Sequence, residues 1–236
     1  TSINPATGEV VGETPVSTAK DVARAVEEAR AAFSSWKDTT LADRVALMKK
    51  FRKILESNID ELARLITQEM GKPIAQSREE IESELTFIDW YCDHAQEALG
   101  EHMLQETEFG TYTMRYEPYG VCASIAPWNF PVIMASSGIS QQVLAGNTVV
   151  FKPSEYTTLS QKRFVELMWE AGFPKGVVNY VVGDADVGKA LVDSPINLIW
   201  FTGSTAVGRE IYKKSGEKFI KGIMELGGSS PGIVFA

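Results

Sequence analysis

Cysteine and histidine are scarce in this chain, which has two of each among 236 residues. Cys92 and Cys122 stand far apart without CxxC spacing, so we expect reduced thiols and a cytoplasmic protein. His94 and His102 lie outside any HExxH motif, and no cysteine pair has the spacing of metal ligands. The sequence therefore predicts neither a disulfide framework nor a bound metal.

Long apolar runs and surplus positive charge are also missing. No run approaches the roughly 20 residues that cross a bilayer, and residues 1–4 lack the pattern of a signal peptide. The chain has 23 Lys and Arg against 31 Asp and Glu, a net charge of −8. A membrane or nucleic-acid partner is therefore not expected. At about 150 residues per domain the chain has room for one or two domains, and a hydrophobic content of 44% is enough for a real core.

Two nucleotide-binding signatures are absent. The chain has no GxGxxG motif. Gly203 and Gly208 have the spacing that opens a P-loop, but Arg209 and Glu210 follow where Lys and Ser or Thr are required. Nucleotide hydrolysis is therefore disfavoured.

Residues 17–99 carry apolar residues at helical spacing. Pairs of a side-chain acceptor with an acid three residues later predict four helix starts: Thr18 with Asp21, Thr40 with Asp43, Asn58 with Glu61, and Ser77 with Glu80. Gly71, followed by Pro73, predicts the end of the third helix. The acidic run at 79–84 predicts a solvated helix face.

The period of the pattern shortens after residue 100. Segments 103–107 and 111–116 flank Gly110 and predict an exposed β-hairpin. Strands are then predicted near 121–125, 148–152, 177–182, 198–202 and 223–226, with helices near 131–145, 158–171, 185–193 and 205–215. This alternation predicts an α/β fold with a doubly wound, Rossmann-like parallel sheet, preceded by a helical segment. Ligands of such sheets bind at the carboxyl ends of the strands.

The first two predicted strands end in unusual loops. In Pro127–Pro131, two prolines restrict the backbone around Asn129, whose amide is then a candidate oxyanion donor or simply the cap of the next helix. In Lys152–Glu155, the lysine and the glutamate suit the hydroxyls of a ribose, or they form a surface ion pair.

The later strand ends carry glycines and a carboxylate. Gly183 leads to Gly188, and residues 201–205 enter a helix that contains Gly208. Such turns let backbone N–H groups approach a pyrophosphate, although capping alone also favours these residue types. Glu225 precedes two glycines at the end of the fifth strand. If that end is desolvated, its pKa is raised and it suits a general base; otherwise it merely reaches solvent at the sheet edge.

In their order along the chain, these motifs resemble those of the aldehyde dehydrogenase superfamily. The matching segments are 3–8, 69–73, 127–131, 152–155, 201–204 and 225–228. The resemblance implies NAD(P)-dependent oxidation of a small-molecule aldehyde to a carboxylic acid, with Asn129 as oxyanion donor and Glu225 as general base. It implies cofactor contacts at Ile125, Trp128, Lys152, Ser154, Glu155, Gly183, Gly188, Phe201, Gly203, Ser204, Gly208 and Leu226. Glutamate at 155 is similar to the NAD-preferring form of the family, with NADP possible.

The resemblance also implies a domain organisation. Residues 1–100 would be the helical part of the cofactor-binding domain, 101–119 an oligomerisation arm, and 120–236 the NAD-binding core of a homo-oligomer. The nucleophilic cysteine of the family follows the segment that resembles 225–228, and Cys92 and Cys122 lack its surrounding motif. We therefore expect cofactor binding without turnover from these residues. The opening at 4–8 is similar to the succinate-semialdehyde branch. The alternative is a non-catalytic module that binds a nucleotide or a partner.

Overall fold

The computed structural model describes residues 1–235 and places a five-stranded parallel sheet behind a helical first half. The first half contains β1 (Ser2–Ile3), β2 (Val10–Gly12), α1 (Ala19–Trp36), α2 (Leu41–Ser57), α3 (Ile59–Met70) and α4 (Ile74–Leu99). A hairpin of β3 (His102–Thr107) and β4 (Gly110–Met114) follows. The second half contains β5 (Val121–Ile125), α5 (Pro131–Leu144), β6 (Thr148–Lys152), α6 (Thr158–Ala171), β7 (Val178–Tyr180), α7 (Ala185–Asp193), β8 (Leu198–Gly203), α8 (Thr205–Glu217) and β9 (Lys221–Leu226).

The helix starts confirm two of the four predicted pairs in full. Thr18 and Asp21 form a reciprocal capping box, and the Thr40 hydroxyl accepts the Asp43 N–H at 3.1 Å. Asn58 precedes α3 but does not cap it with its side chain, which donates to the Ile54 carbonyl at 2.7 Å instead.

The fourth predicted start, at Ser77, is wrong. The helix α4 begins at Ile74, directly after Pro73, and Ser77 is buried within it, 2.9 Å from the Thr67 hydroxyl. Gly71 ends α3 with a φ of 77°, as predicted. Because proline already holds a helix-compatible φ, a new helix can begin as soon as the left-handed turn is complete.

The acidic run in α4 is not a solvated face throughout. Glu79 and Glu82 are exposed, but Glu80 and Glu84 are 3% and 1% exposed. Residues four apart on a helix share a face, and these two glutamates lie on the side that packs against α5. The run therefore contributes residues to both the exposed side and the buried side of α4.

The predicted parallel sheet is confirmed, with strand order β7-β6-β5-β8-β9. Successive residues alternate between two cores: Cys122 and Phe151 point to one, Ala123 and Val150 to the other. The first core contains residues of α5 and α6, with α2, α3 and α4 behind them, and the second contains residues of α1, α7 and α8. The sheet is therefore doubly wound, with its ligand-binding rim at the carboxyl ends.

The predicted hairpin is also present, and most of its side chains are exposed. The exposed fraction reaches 66% at Met103 and 87% at Phe109. Across the described residues 1–235, the helices are too short or too polar for any of them to pass through a bilayer.

Candidate cofactor and catalytic site

A cleft of about 610 Å³ opens between α7 and α8 at the carboxyl rim of the sheet. Four predicted cofactor residues line it: Ile125, Lys152, Gly188 and Phe201. Strand register brings three of them together, because Ile125 lies opposite Lys152 on one side and Phe201 on the other. Val192 and Ile211 add apolar walls from the two helices. The cleft is thus mostly apolar, with a lysine at its base.

Lys152 is buried at the base of this cleft, with only 5% of its surface exposed. Its ammonium donates to the Pro153 carbonyl at 2.7 Å. Desolvation lowers the pKa of Lys152, and the charges of Glu155 and Asp184 oppose that shift. The alternative of a surface ion pair is therefore wrong for Lys152. A buried cation gains from any ligand that brings it a further oxygen.

The neighbours of Lys152 divide into a buried and an exposed residue. Ser154 is buried, and its backbone N–H donates to the Gln161 side-chain oxygen at 2.8 Å. Glu155 is exposed at the same rim, three residues beyond the end of β6. Ser154 thus shapes the loop, while the Glu155 carboxylate is available to a ligand.

Asn129 and Trp128 are exposed on the loop between β5 and α5. The alternative in which Asn129 caps α5 is wrong, because the capping position is Phe130. The first N–H groups of α5, those of Val132 and Ile133, donate to Glu80 at 2.8 and 3.3 Å. The Asn129 amide is therefore left at the surface of a loop that other residues hold.

The start of α8 fits both interpretations of its sequence. The Ser204 hydroxyl accepts the Val207 N–H at 3.4 Å and is exposed at the rim. Three predicted glycine sites serve close packing: Gly183 packs on Val187, Gly203 on Phe201 and Gly208 on Leu226. They shape the turns around the cleft, whereas Gly188 lines it.

Glu225 is exposed, and the predicted desolvation is wrong. It pairs with Thr202 of β8, and its own strand β9 is one of the two edge strands of the sheet. An edge strand has a neighbouring strand on one side only. Within the part of the chain that the structure describes, the last residues of β9 are therefore exposed to solvent.

Both cysteines are structural. Burial raises the pKa of Cys92 to about 11, and the pKa of the fully buried Cys122 is raised further by the same cause. Nucleophilic cysteines need a stabilised thiolate, which neither site provides. Within the described residues, no group of three or more His, Cys, Asp and Glu side chains could hold a metal ion.

A serine-elbow spacing, GxSxG, occurs at 228–232. The elbow requires a strand, a sharp turn and a helix in succession. Residues 227–235 follow β9 without helix or strand, so this segment does not have the context of a serine nucleophile.

Sequence reasoning missed several residues that hold the site loops. Glu69, 3% exposed, accepts the N–H groups of Leu159 and Ser160 at 2.8 and 2.7 Å, so it caps α6 from a distance in sequence of some ninety residues. Gln161 of α6 joins two loops of the rim. Glu69 belongs to the motif at 69–73, but the sequence of that motif does not indicate that its side chain contacts α6.

A doubly wound parallel sheet with a buried lysine and an apolar cleft at its rim defines a class of nucleotide-binding α/β proteins. Comparison with known proteins narrows the class. The model of the Aldehyde dehydrogenase family matches residues 1–236. The chain belongs to this family, which confirms the sequence-based resemblance.

Relatives with different substrates are about equally similar to the chain. It is 36% identical to D-glyceraldehyde dehydrogenase (NADP(+)) of Thermoplasma acidophilum, over 98% of this chain and 48% of that protein. It is also 36% identical to the mitochondrial succinate-semialdehyde dehydrogenase of Arabidopsis thaliana, over 98% of this chain and 44% of that protein. An NAD+ complex of aldehyde dehydrogenase from Bacillus cereus superposes with a TM-score of 0.93 at 35% identity, covering 99% of this chain and 48% of that one. The chain thus spans about half the length of these relatives.

Proposed function

We propose that this chain is the cofactor-binding portion of an enzyme that oxidises an aldehyde to a carboxylic acid with NAD(P). The observation that carries the proposal is the buried Lys152 at the base of an apolar interhelical cleft on the carboxyl rim. Such a cleft suits a flat apolar base, and its lysine suits a sugar hydroxyl or a phosphate.

Each part of the cleft has a proposed role. Lys152 and Glu155 would bind the hydroxyls of the adenosine ribose, and Val192 and Ile211 would flank the base. Ser204 stands where the N–H groups and dipole of α8 favour a pyrophosphate. Glycines 183, 188, 203 and 208, with Ile125, Trp128, Ser154, Phe201 and Leu226, would shape the remainder of the site.

The chemistry needs an oxyanion donor and a base. A bound nicotinamide supplies the hydride acceptor. Asn129 would donate its exposed amide to the developing oxyanion, and Glu225 would accept a proton from the hydrolytic water. Because Glu225 is exposed and both cysteines are buried, we propose that the 236 residues bind cofactor without turnover.

The substrate proposed for the complete enzyme is a semialdehyde such as succinate semialdehyde. The name of the Arabidopsis thaliana relative supports this choice. The equal identity of the Thermoplasma acidophilum relative, which is named for D-glyceraldehyde, shows that overall identity does not select one aldehyde.

Calorimetric titration of the chain with NAD and NADP tests the cofactor site. We expect NAD to bind more tightly, because the Glu155 carboxylate repels a 2′-phosphate. The Glu155→Gln variant should narrow the ratio of NAD affinity to NADP affinity by up to about fivefold, since an interaction between exposed charges is worth about 0.2–1 kcal/mol. Glu170→Gln, an exposed glutamate of α6, is the matched control and should leave the ratio unchanged. Absence of binding by either cofactor to the folded chain would contradict the proposal.

We further propose that the hairpin mediates self-association, as the resemblance to the family implies. Met103, Leu104, Phe109 and Tyr112 are all more than half exposed on it, and exposed apolar clusters are typical of contact surfaces. Light scattering should therefore give a mass above the 25.9 kDa of one chain. Phe109→Ser should reduce that mass, and Phe219→Ser, which alters another exposed aromatic residue, should not. A mass of one chain at all working concentrations would refute the proposal that the hairpin mediates self-association.

A further inference from the structure

The Asn129 loop, residues 126–130, connects β5 to α5 and contributes little to its own placement. Trp128, Asn129 and Phe130 are all exposed. Ordering a residue costs about 1–2 kcal/mol in backbone entropy, so a loop that must present one amide in one place needs support from outside. Two groups of buried polar side chains contact its ends.

The first group reaches the loop through α4. Glu80 accepts the Val132 N–H at 2.8 Å with one carboxylate oxygen and the Lys72 ammonium at 2.5 Å with the other. The side chains of Lys72 and Glu80 are 7% and 0% exposed. A carboxylate at a helix N-terminus is favourable because it meets unpaired N–H groups and the positive end of the dipole. Glu80 therefore fixes the point at which the loop enters α5.

Lys72 extends this contact to the loop itself. Its ammonium lies 4.1 Å from the centroid of the Phe130 ring, a cation–π distance. Phe130 adjoins Asn129 in the chain. The ion pair thus fixes both the residue after Asn129 and the helix that follows.

Gln161 of α6 holds the loop from the other side and is fully buried. Its side-chain N–H groups donate to the carbonyls of Pro127 and Pro131 at 3.2 and 3.1 Å. Its oxygen accepts the Ser154 N–H at 2.8 Å. One amide therefore joins the two ends of the Asn129 loop to the loop that follows Lys152.

We propose that Lys72, Glu80 and Gln161 form a loop clamp, a set of positioning residues that fixes the Asn129 amide relative to the cofactor loop. The assignment rests on the proposed function, in which Asn129 is the oxyanion donor. Stability alone does not require the Lys72–Glu80 pair, because two apolar residues of similar volume can often replace a buried ion pair without loss of stability. The polar groups add hydrogen bonds of defined direction, and these bonds fix the position of the loop at both ends.

The test compares Lys72→Met and Gln161→Met with exposed controls, Lys50→Met and Gln76→Met. The side-chain amide resonances of Asn129 are observed by ¹⁵N NMR in the folded 236-residue chain, well below its melting temperature. We expect both clamp variants to shift and broaden these resonances. They should also increase the amide exchange of Val132 and Ile133, whose N–H groups donate to Glu80, by tenfold or more. The controls should leave both readouts unchanged. If neither clamp variant folds, Glu80→Gln, which keeps the shape of the side chain, takes their place and should show the same two changes.

Unchanged Asn129 resonances in a folded Lys72→Met or Gln161→Met chain, with only the melting temperature lowered, would overturn the clamp. If one of the two fails to fold, the other decides. The NAD titration of the parent chain is a separate measurement. Failure to bind NAD would refute the proposed function, whereas a fixed Asn129 amide in the clamp variants would refute only the clamp.

Discussion

The Glu84→Gln variant is expected to remove a fall in stability that we predict for the parent chain as pH rises from about 5 to 8. Glu84 is 1% exposed on α4. Burial raises the pKa of Glu84 from 4.5 to about 8, the neighbouring Glu80 carboxylate adds to the shift, and the Ser136 hydroxyl opposes it. Tyr91 also faces Glu84, and its own pKa is raised mainly by burial. In the folded chain we therefore expect this carboxyl to keep its proton up to about pH 8.

The direction of the pH effect follows from the two protonation states. Below pH 4.5 the carboxyl carries a proton in both the folded and the unfolded chain, so it does not affect stability differentially. Between pH 4.5 and about 8 the unfolded chain releases the proton and the folded chain retains it, so the free energy of unfolding falls as pH rises. Each pH unit is worth about 1.4 kcal/mol, and the whole interval roughly 5 kcal/mol.

Urea denaturation from about pH 5 to pH 9 measures this effect. Because glutamine stays neutral, Glu84→Gln should flatten the profile and exceed the parent in stability above pH 8. Glu79→Gln, an exposed neutralisation on the same helix, should keep the parent slope. Parallel profiles for the parent and Glu84→Gln would show that Glu84 does not hold its proton in the folded state.

The Lys152→Met variant should lose NAD affinity by about 10- to 100-fold. Methionine keeps the unbranched apolar stem of the side chain but removes the charged donor, and a hydrogen bond to a charged group is worth about 1.5–3 kcal/mol. The melting temperature should not fall, because desolvation lowers the pKa of Lys152 and burial of this cation therefore costs stability. Loss of binding without loss of stability is the signature of a ligand contact.

The control is Lys189→Met, which removes a second lysine from the same cleft. The Lys189 side chain is 75% exposed, so solvent screens it and a change of less than about threefold is expected. Equal losses in Lys152→Met and Lys189→Met would indicate a general attraction for anions. Unchanged affinity in Lys152→Met would remove Lys152 from the cofactor site.

The fold was largely predictable from sequence because its signals are local. Runs such as Val121–Ile125 and Thr148–Lys152 are apolar, short and followed by turn residues, which identifies buried parallel strands. Since parallel strands share one carboxyl rim, the residues after them could be assigned to one site. The structure brings Ile125, Lys152 and Phe201 into one cleft there.

The burial of several side chains could not be predicted from the sequence, because it depends on residues that are distant in the chain. Glu225 is exposed because β9 is an edge strand. The hydrophobic pattern of the sequence does not predict the order of the strands in the sheet. The acidic run predicts a solvated face for Glu80 and Glu84, because a run of charged residues usually forms one. Their burial depends on α5 packing against α4. Gln161 carries no local signal, since its partners belong to other loops.

The order of the strands has a consequence for synthesis of the chain on the ribosome. The central strand β5 can pair with β6 soon after its own synthesis. Its other neighbour, β8, is synthesised only after α6, β7 and α7, so Cys122 cannot pair with Leu198 until then. At about 5–20 residues per second the apolar edge of β5 stays unpaired for several seconds. During that interval nascent chains can pair with one another, which makes early chaperone contact valuable while β5 is unpaired.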